Sequence, residues 1–124
     1  RDDLDSYKAR AAAIRDAEIY RNDFIMGVCP SKGLKSPTVV GAQAANELLD
    51  VEGIKASFVL TSYHNVIYIS ARSIDEVNVQ VIMEKLGGGG HLNVAGAQVS
   101  GYTMTETLNM IKNIINEMKE QGDL

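Results

Sequence analysis

Cysteine, tryptophan and histidine are nearly missing from this sequence: one Cys, no Trp and two His in 124 residues. A lone thiol excludes an internal disulfide, so the fold rests on an ordinary core, and it fits a reducing compartment. Cys29 follows Val28 in an apolar run and reads as a buried small hydrophobe, not a nucleophile. With so few histidines, and with acidic residues scattered over helical faces, there is no spacing for a catalytic metal centre. No Ser-His-Asp arrangement suggests itself either. Cations are outnumbered, 12 Lys and Arg against 16 Asp and Glu, for a net charge of −4. That balance argues against long duplex nucleic acid, which demands several phosphate contacts from Lys and Arg. It leaves room for a small anion held by a few local groups. No apolar run approaches the roughly 20 residues of a membrane span, and no signal peptide is visible. The chain opens on Arg1-Asp2-Asp3 and is expected to be a piece of a longer protein.

Glycine is what the chain has in quantity, 11 residues, four of them consecutive from Gly87 to Gly90 and followed by His91. Glycine permits left-handed backbone and a close approach to a ligand. Successive free N–H groups in such a turn can form a nest for an anion, with the imidazole as a directed donor. Glycine content alone leaves a second reading open, a helix C-cap and turn. The run is neither a Walker A loop nor a dinucleotide-binding Gly-x-Gly-x-x-Gly.

Along the chain, Ser6 to Tyr20 reads as a helix with Tyr7, Ala11 and Ile14 on one face. Phe24–Cys29 is a short buried strand and Pro30 to Pro37 a loop. Thr38 is placed to cap a helix carrying Val40, Ala44 and Leu48. Ala56–Tyr63 and Val66–Ser73 form a hairpin across His64-Asn65, which makes His64 an exposed turn residue. Alternation sets Val66, Tyr68, Ser70 and Arg72 on one face of the second strand and Ile67, Ile69 and Ala71 on the core face. Asn78 begins a helix with Val79, Ile82, Met83 and Leu86 inward, stopped by Gly87. Ala97 to Tyr102 is a further strand. Thr103 or Thr105 starts a last helix, with Met104, Leu108, Ile111, Ile115 and Met118 on one face. The order implies an α/β fold: a small mixed sheet of about four to five strands flanked by helices, in a single domain.

Three features can converge on one pocket: Ser70-Ala71-Arg72-Ser73, Asn78, and the loop of Gly88, Gly89, Gly90 and His91. An arginine at a strand end offers a planar fork suited to phosphate oxygens, although the same residue serves equally as a surface ion-pairing group. Phosphodiester hydrolysis generally requires a metal-activated water. A chain without metal ligands recognises more than it catalyses.

Ile69-Ser70-Ala71-Arg72-Ser73, Asn78 through Gly90 to His91, and Ala95-Gly96-Ala97-Gln98 resemble the DHH-associated C-terminal domain of the DHH phosphoesterase superfamily. The similarity is greatest to the GdpP type, membrane-bound cyclic-di-AMP phosphodiesterases, and Val51 to Phe58 resembles the same branch. The resemblance implies that residues 1–22 connect to a DHH lobe absent from this chain, and that 23–124 form the substrate-binding lobe. It implies a pair of manganese ions in the DHH lobe and none bound here, since no Asp-His-His motif occurs. This lobe alone is then expected to be inactive, and the parent a hydrolase whose cytoplasmic domain is anchored at the bacterial membrane. By the same resemblance Arg72, Ser73, Asn78, Gly88, Gly89, Gly90 and His91 would bind the substrate, a cyclic dinucleotide or a short oligonucleotide. A homodimer is also compatible with it. Other superfamily members degrade oligonucleotides. A related domain ends alanyl-tRNA synthetases, where it serves RNA binding and dimerisation. The histidine after the glycines and the acidic charge favour the phosphoesterases.

Overall fold

The strand alternation read from the sequence is what the backbone adopts. A computed structural model describes residues 1–124. It contains α1 (Leu4–Arg15), β1 (Glu18–Tyr20), β2 (Phe24–Cys29), α2 (Pro37–Leu48), β3 (Ala56–Tyr63) and β4 (Val66–Ser73). These are followed by α3 (Val79–Glu84), β5 (Gly89–Gly90), β6 (Val94–Ser100) and α4 (Met104–Glu120). The strands form one sheet of six in the order β1-β2-β3-β4-β6-β5. Only β2 and β3 run parallel, joined by α2 as a crossover; the other pairs are antiparallel. The sheet is mixed and flanked by helices, as expected, but larger than the expected four to five strands, because β1 and β5 are short and exist only through pairing.

Each face of the sheet has its own core. Phe58, Leu60, Ile69 and Ala71 pack with Val79, Ile82 and Met83 of α3 and Ile111, Ile115 and Met118 of α4. On the other face Ile25, Cys29 and Val59 pack with Ala9 and Ala13 of α1 and Val40, Ala44 and Leu48 of α2. Cys29 is buried as expected, and burial pushes its thiol pKa up. His64 and Asn65 take φ of 51° and 64°, the left-handed pair of a tight hairpin, with His64 exposed.

Four local expectations are corrected. The first helix stops at Arg15, and Glu18–Tyr20 turns back through Arg21 and Asn22, both at positive φ, to pair with β2. Its inward residues are Ala9 and Ala13, while Tyr7 and Ala11 are exposed. Small residues are required there because a Cβ on Gly27 would already stand 3.0 Å from the Ala13 carbonyl oxygen. Ser36, not Thr38, is the N-cap of α2, since Pro37 fills the first turn, where its missing N–H costs nothing. β6 begins at Val94 and ends at Ser100, because β4 and β5 both pair with its first residues. Within residues 1–22, Ala9 and Ala13 of α1 pack into the core and β1 pairs with β2.

Thr103 caps α4 in a capping box: its hydroxyl accepts from the Glu106 N–H, and the Glu106 carboxylate accepts from the Thr103 N–H. Thr103→Ala is expected to cost about 1 kcal/mol. The measurement is a lowered urea midpoint with an unchanged m-value.

Candidate functional site

Helices α1 and α2 cover only part of their face of the sheet. Beyond them, β4 and β6 leave an open trough. Its floor follows from the pairing register: Arg72 lies opposite Val94, Ser70 opposite Gly96, and Tyr68 opposite Gln98. On the far side Gly89 pairs with Gly96, and the His91 N–H donates to the Val94 carbonyl at 2.7 Å. His91 therefore flanks the Arg72 end, while Gly87 and Gly88 flank the Gln98 end. α2 is the near wall, with Thr38 over one end and Asn46 over the other. The cleft at the Tyr68 end has a volume of about 570 Å³ and is lined by Thr38, Tyr68, Ser70, Gly87, Gly88, Gly96 and Gln98, among others.

Arg72 is half-buried in this floor. Its Nε donates to Asn46 Oδ1 at 2.9 Å, and one terminal nitrogen donates to the Ala71 and Ala95 carbonyls at 2.9 and 3.4 Å. Every one of these partners is neutral. None of the five ion pairs in the chain includes Arg72, so the alternative reading as an ion-pairing residue has no partner here. Burial alone lowers its pKa, since a desolvated guanidinium lacks a compensating anion.

The glycine run is more than a flexible loop. Gly87, at φ 82°, ends α3 as expected. A Cβ on Gly88 would fall 2.1 Å from the Gly96 carbonyl oxygen, and one on Gly90 2.5 Å from the Val94 oxygen. Both are glycine because β5 lies hard against β6. Gly89 is different: a Cβ there would meet nothing within 4 Å. His91 is exposed.

Ser73 and Asn78 are engaged elsewhere. Ser73 is 4 % exposed, and its hydroxyl donates to the Val77 carbonyl at 2.6 Å and accepts from Asn93 Nδ2 at 2.8 Å. It ties the loop after His91 to the turn before α3 and stands beneath the surface. Asn78 is the N-cap of α3, its Oδ1 accepting from the Val81 N–H at 3.3 Å. By register Arg72 and His91 both flank Val94 at one end of the trough, Gly89 lies beside Gly96 nearer its middle, and the side chains of Ser73 and Asn78 are hydrogen-bonded within the fold.

The DHHA1 domain family matches residues 29–121. The chain belongs to that family. The DHHA1 domain is 42 % identical over 110 residues to the cyclic-di-AMP phosphodiesterase PdeA of Listeria monocytogenes, covering 86 % of this chain and 16 % of that protein. It is 40 % identical over 121 residues to the cyclic-di-AMP phosphodiesterase GdpP of Bacillus subtilis, covering 96 % of this chain and 18 % of that protein. Among solved structures, an exopolyphosphatase-related protein of Bacteroides fragilis superposes with a TM-score of 0.82 at 18 % identity, over 98 % of this chain and 37 % of the other. The chain therefore spans less than a fifth of the length of these two phosphodiesterases.

Sequence reading of the DHHA1 domain placed Ser70 in the converging Ser70–Ser73 segment but passed over Thr38, Asn46, Tyr68 and Gln98 as lining residues. The signal for Tyr68 was present, since period-two alternation sets it on the Arg72 face. Gln98 and Asn46 needed the register between strands and the seat of α2.

Proposed function

We propose that this DHHA1 domain is the nucleotide-recognition lobe of a cyclic-di-AMP phosphodiesterase. A substrate phosphate would lie between the Arg72 guanidinium, the backbone at Gly89 and the His91 side chain. One observation carries the reading: a half-buried guanidinium is bonded only to neutral oxygens, on a strand whose neighbour β6 also pairs with the glycine strand. An anion there replaces the solvation that burial removes. The cyclic-di-AMP phosphodiesterases at about 40 % identity support the choice of ligand.

The residues of this chain do not fit a manganese pair. No three His, Cys, Asp or Glu side chains come together in a way that could hold a metal ion. We assign metal-activated hydrolysis to a DHH lobe in the parent protein, and to this lobe the tasks of binding and orienting the substrate. No helix is long and apolar enough to cross a membrane, so anchoring would also rest with the parent.

The test is a titration of the ¹⁵N-labelled chain with cyclic-di-AMP in the presence of manganese. The expected result is amide shifts at Arg72, Gly89 and His91, with no linear dinucleotide formed over hours. Absence of those shifts would remove the binding role. Chelator-sensitive turnover by the isolated chain would remove the division of labour.

A further inference from the structure

The trough has two chemically different ends. One holds Arg72 and His91. The other is built from Tyr68 and Gln98, a directly opposed cross-strand pair, with Thr38 above them. Between the ends the floor is Ser70, Gly96 and Gly89, none with a side chain larger than a hydroxymethyl. Arg72 and Tyr68 are four residues apart on β4, roughly 13 Å along the strand. Along α2, Thr38 and Asn46 are eight residues apart, roughly 12 Å of helical rise, so the wall matches the floor. The side chains of Tyr68, Ser70 and Gln98 take part in none of the chain's internal hydrogen bonds. They line a cleft with their polar groups unspent.

We infer that the Tyr68–Gln98 end is a purine subsite selective for adenine over guanine. This inference rests on the reading of the Arg72 end as the phosphate position. The small residues between leave the width a sugar needs. Tyr68 offers an aromatic face on which a base can stack. Gln98 offers a carboxamide, one donor group and one acceptor in a plane. Adenine presents the complementary edge, an N7 acceptor beside an N6 amino donor. Guanine presents two acceptors on that edge, N7 and O6, so the Gln98 carbonyl would face an oxygen. Neither Tyr68 nor Gln98 lies in the core of the sheet, so both can be changed without opening a cavity.

The test uses the ¹⁵N-labelled chain and four probes: AMP, GMP, ribose 5-phosphate and inorganic phosphate, each to millimolar concentration. All four are expected to shift the Arg72 and His91 amides. AMP alone is expected to move Gln98 and Tyr68 as well, and to bind on the order of tenfold more tightly than GMP. Gln98→Ala should bring AMP down to the affinity of GMP while leaving inorganic phosphate unchanged. Tyr68→Phe should keep the AMP affinity and Tyr68→Leu should lose it. Equal binding of AMP and GMP, or AMP shifts confined to the Arg72 end, would overturn the purine subsite. So would inorganic phosphate shifting Thr38 and Gln98 in place of Arg72. Shifts from AMP at Tyr68 and Gln98, with none from inorganic phosphate at Arg72, would keep the subsite and discard the phosphate reading.

Discussion

Gly88→Ala and Gly90→Ala are expected to lower the melting temperature of the chain steeply, while Gly89→Ala leaves it nearly unchanged. At Gly88 the new methyl would meet backbone and side chain of β6, the Gly96 oxygen at 2.1 Å and the Ala97 Cβ at 2.6 Å. At Gly90 it would meet the Val94 oxygen at 2.5 Å, on a backbone whose φ of 144° already disfavours an L side chain. Overpacking of this kind costs about 1–3 kcal/mol, and enforced backbone strain adds a similar amount. A loss of about 3 kcal/mol in a chain of this size corresponds to roughly 10–15 °C. Gly89 has neither problem, since its Cβ would enter open space and its φ is not positive. A change there should stay within about 0.5 kcal/mol. Thermal denaturation by circular dichroism reads all three. Equal losses at all three positions would mean that β5 is not seated on β6 as described. Gly89→Ala is then the clean probe of ligand approach: if a phosphate comes down on that backbone, affinity falls while the fold is untouched.

The second large effect is expected at Arg72 and His91. Arg72→Lys keeps the charge and loses the fork, together with the Nε bond to Asn46 that holds the side chain in the floor. Binding of cyclic-di-AMP, or kcat/KM in the parent enzyme, should fall on the order of tenfold, about 1.4 kcal/mol. If His91 donates to the bound phosphate as proposed, His91→Ala is expected to cost roughly 1.5–3 kcal/mol in binding. The contact that His91 makes with the sheet runs through its backbone N–H to Val94, which alanine retains. Its side chain is exposed, so the melting temperature should hardly move. The opposite pattern, a lowered melting temperature with affinity kept, would make His91 a structural residue and end the phosphate reading.

The contrast between the glycines shows how far local reading reaches. One glycine suffices to end α3, and the sequence therefore left the other three available for a ligand. The sheet claims two of them. Gly88 and Gly90 are set by the distance to β6, a contact between strands that no local pattern encodes. The same reason explains β1 and β5. Strands of three and two residues carry no usable period; they exist because a neighbour's unpaired edge satisfies their backbone groups. Ser73 belongs here as well. Strand alternation sets it on the core face with Ile67, Ile69 and Ala71, yet its hydrogen-bond partners Val77, Leu92 and Asn93 come from two different loops.

What the sequence determined by itself were the features that depend on near neighbours in the chain. Alternation fixed the two faces of β4, the His64-Asn65 pair fixed the hairpin register, and the heptad-like spacing of α4 fixed its buried stripe. Tertiary structure alone decided which part of the sheet stays uncovered. α2 stops short of β6, so Tyr68, Ser70 and Arg72 meet Gly96 and Gln98 in an open trough instead of a core. That outcome depends on how far a helix reaches across a sheet, which is set by packing of Gly41 and Ala45 against Thr61 and Ser57. Side-chain period along one strand carries no record of it.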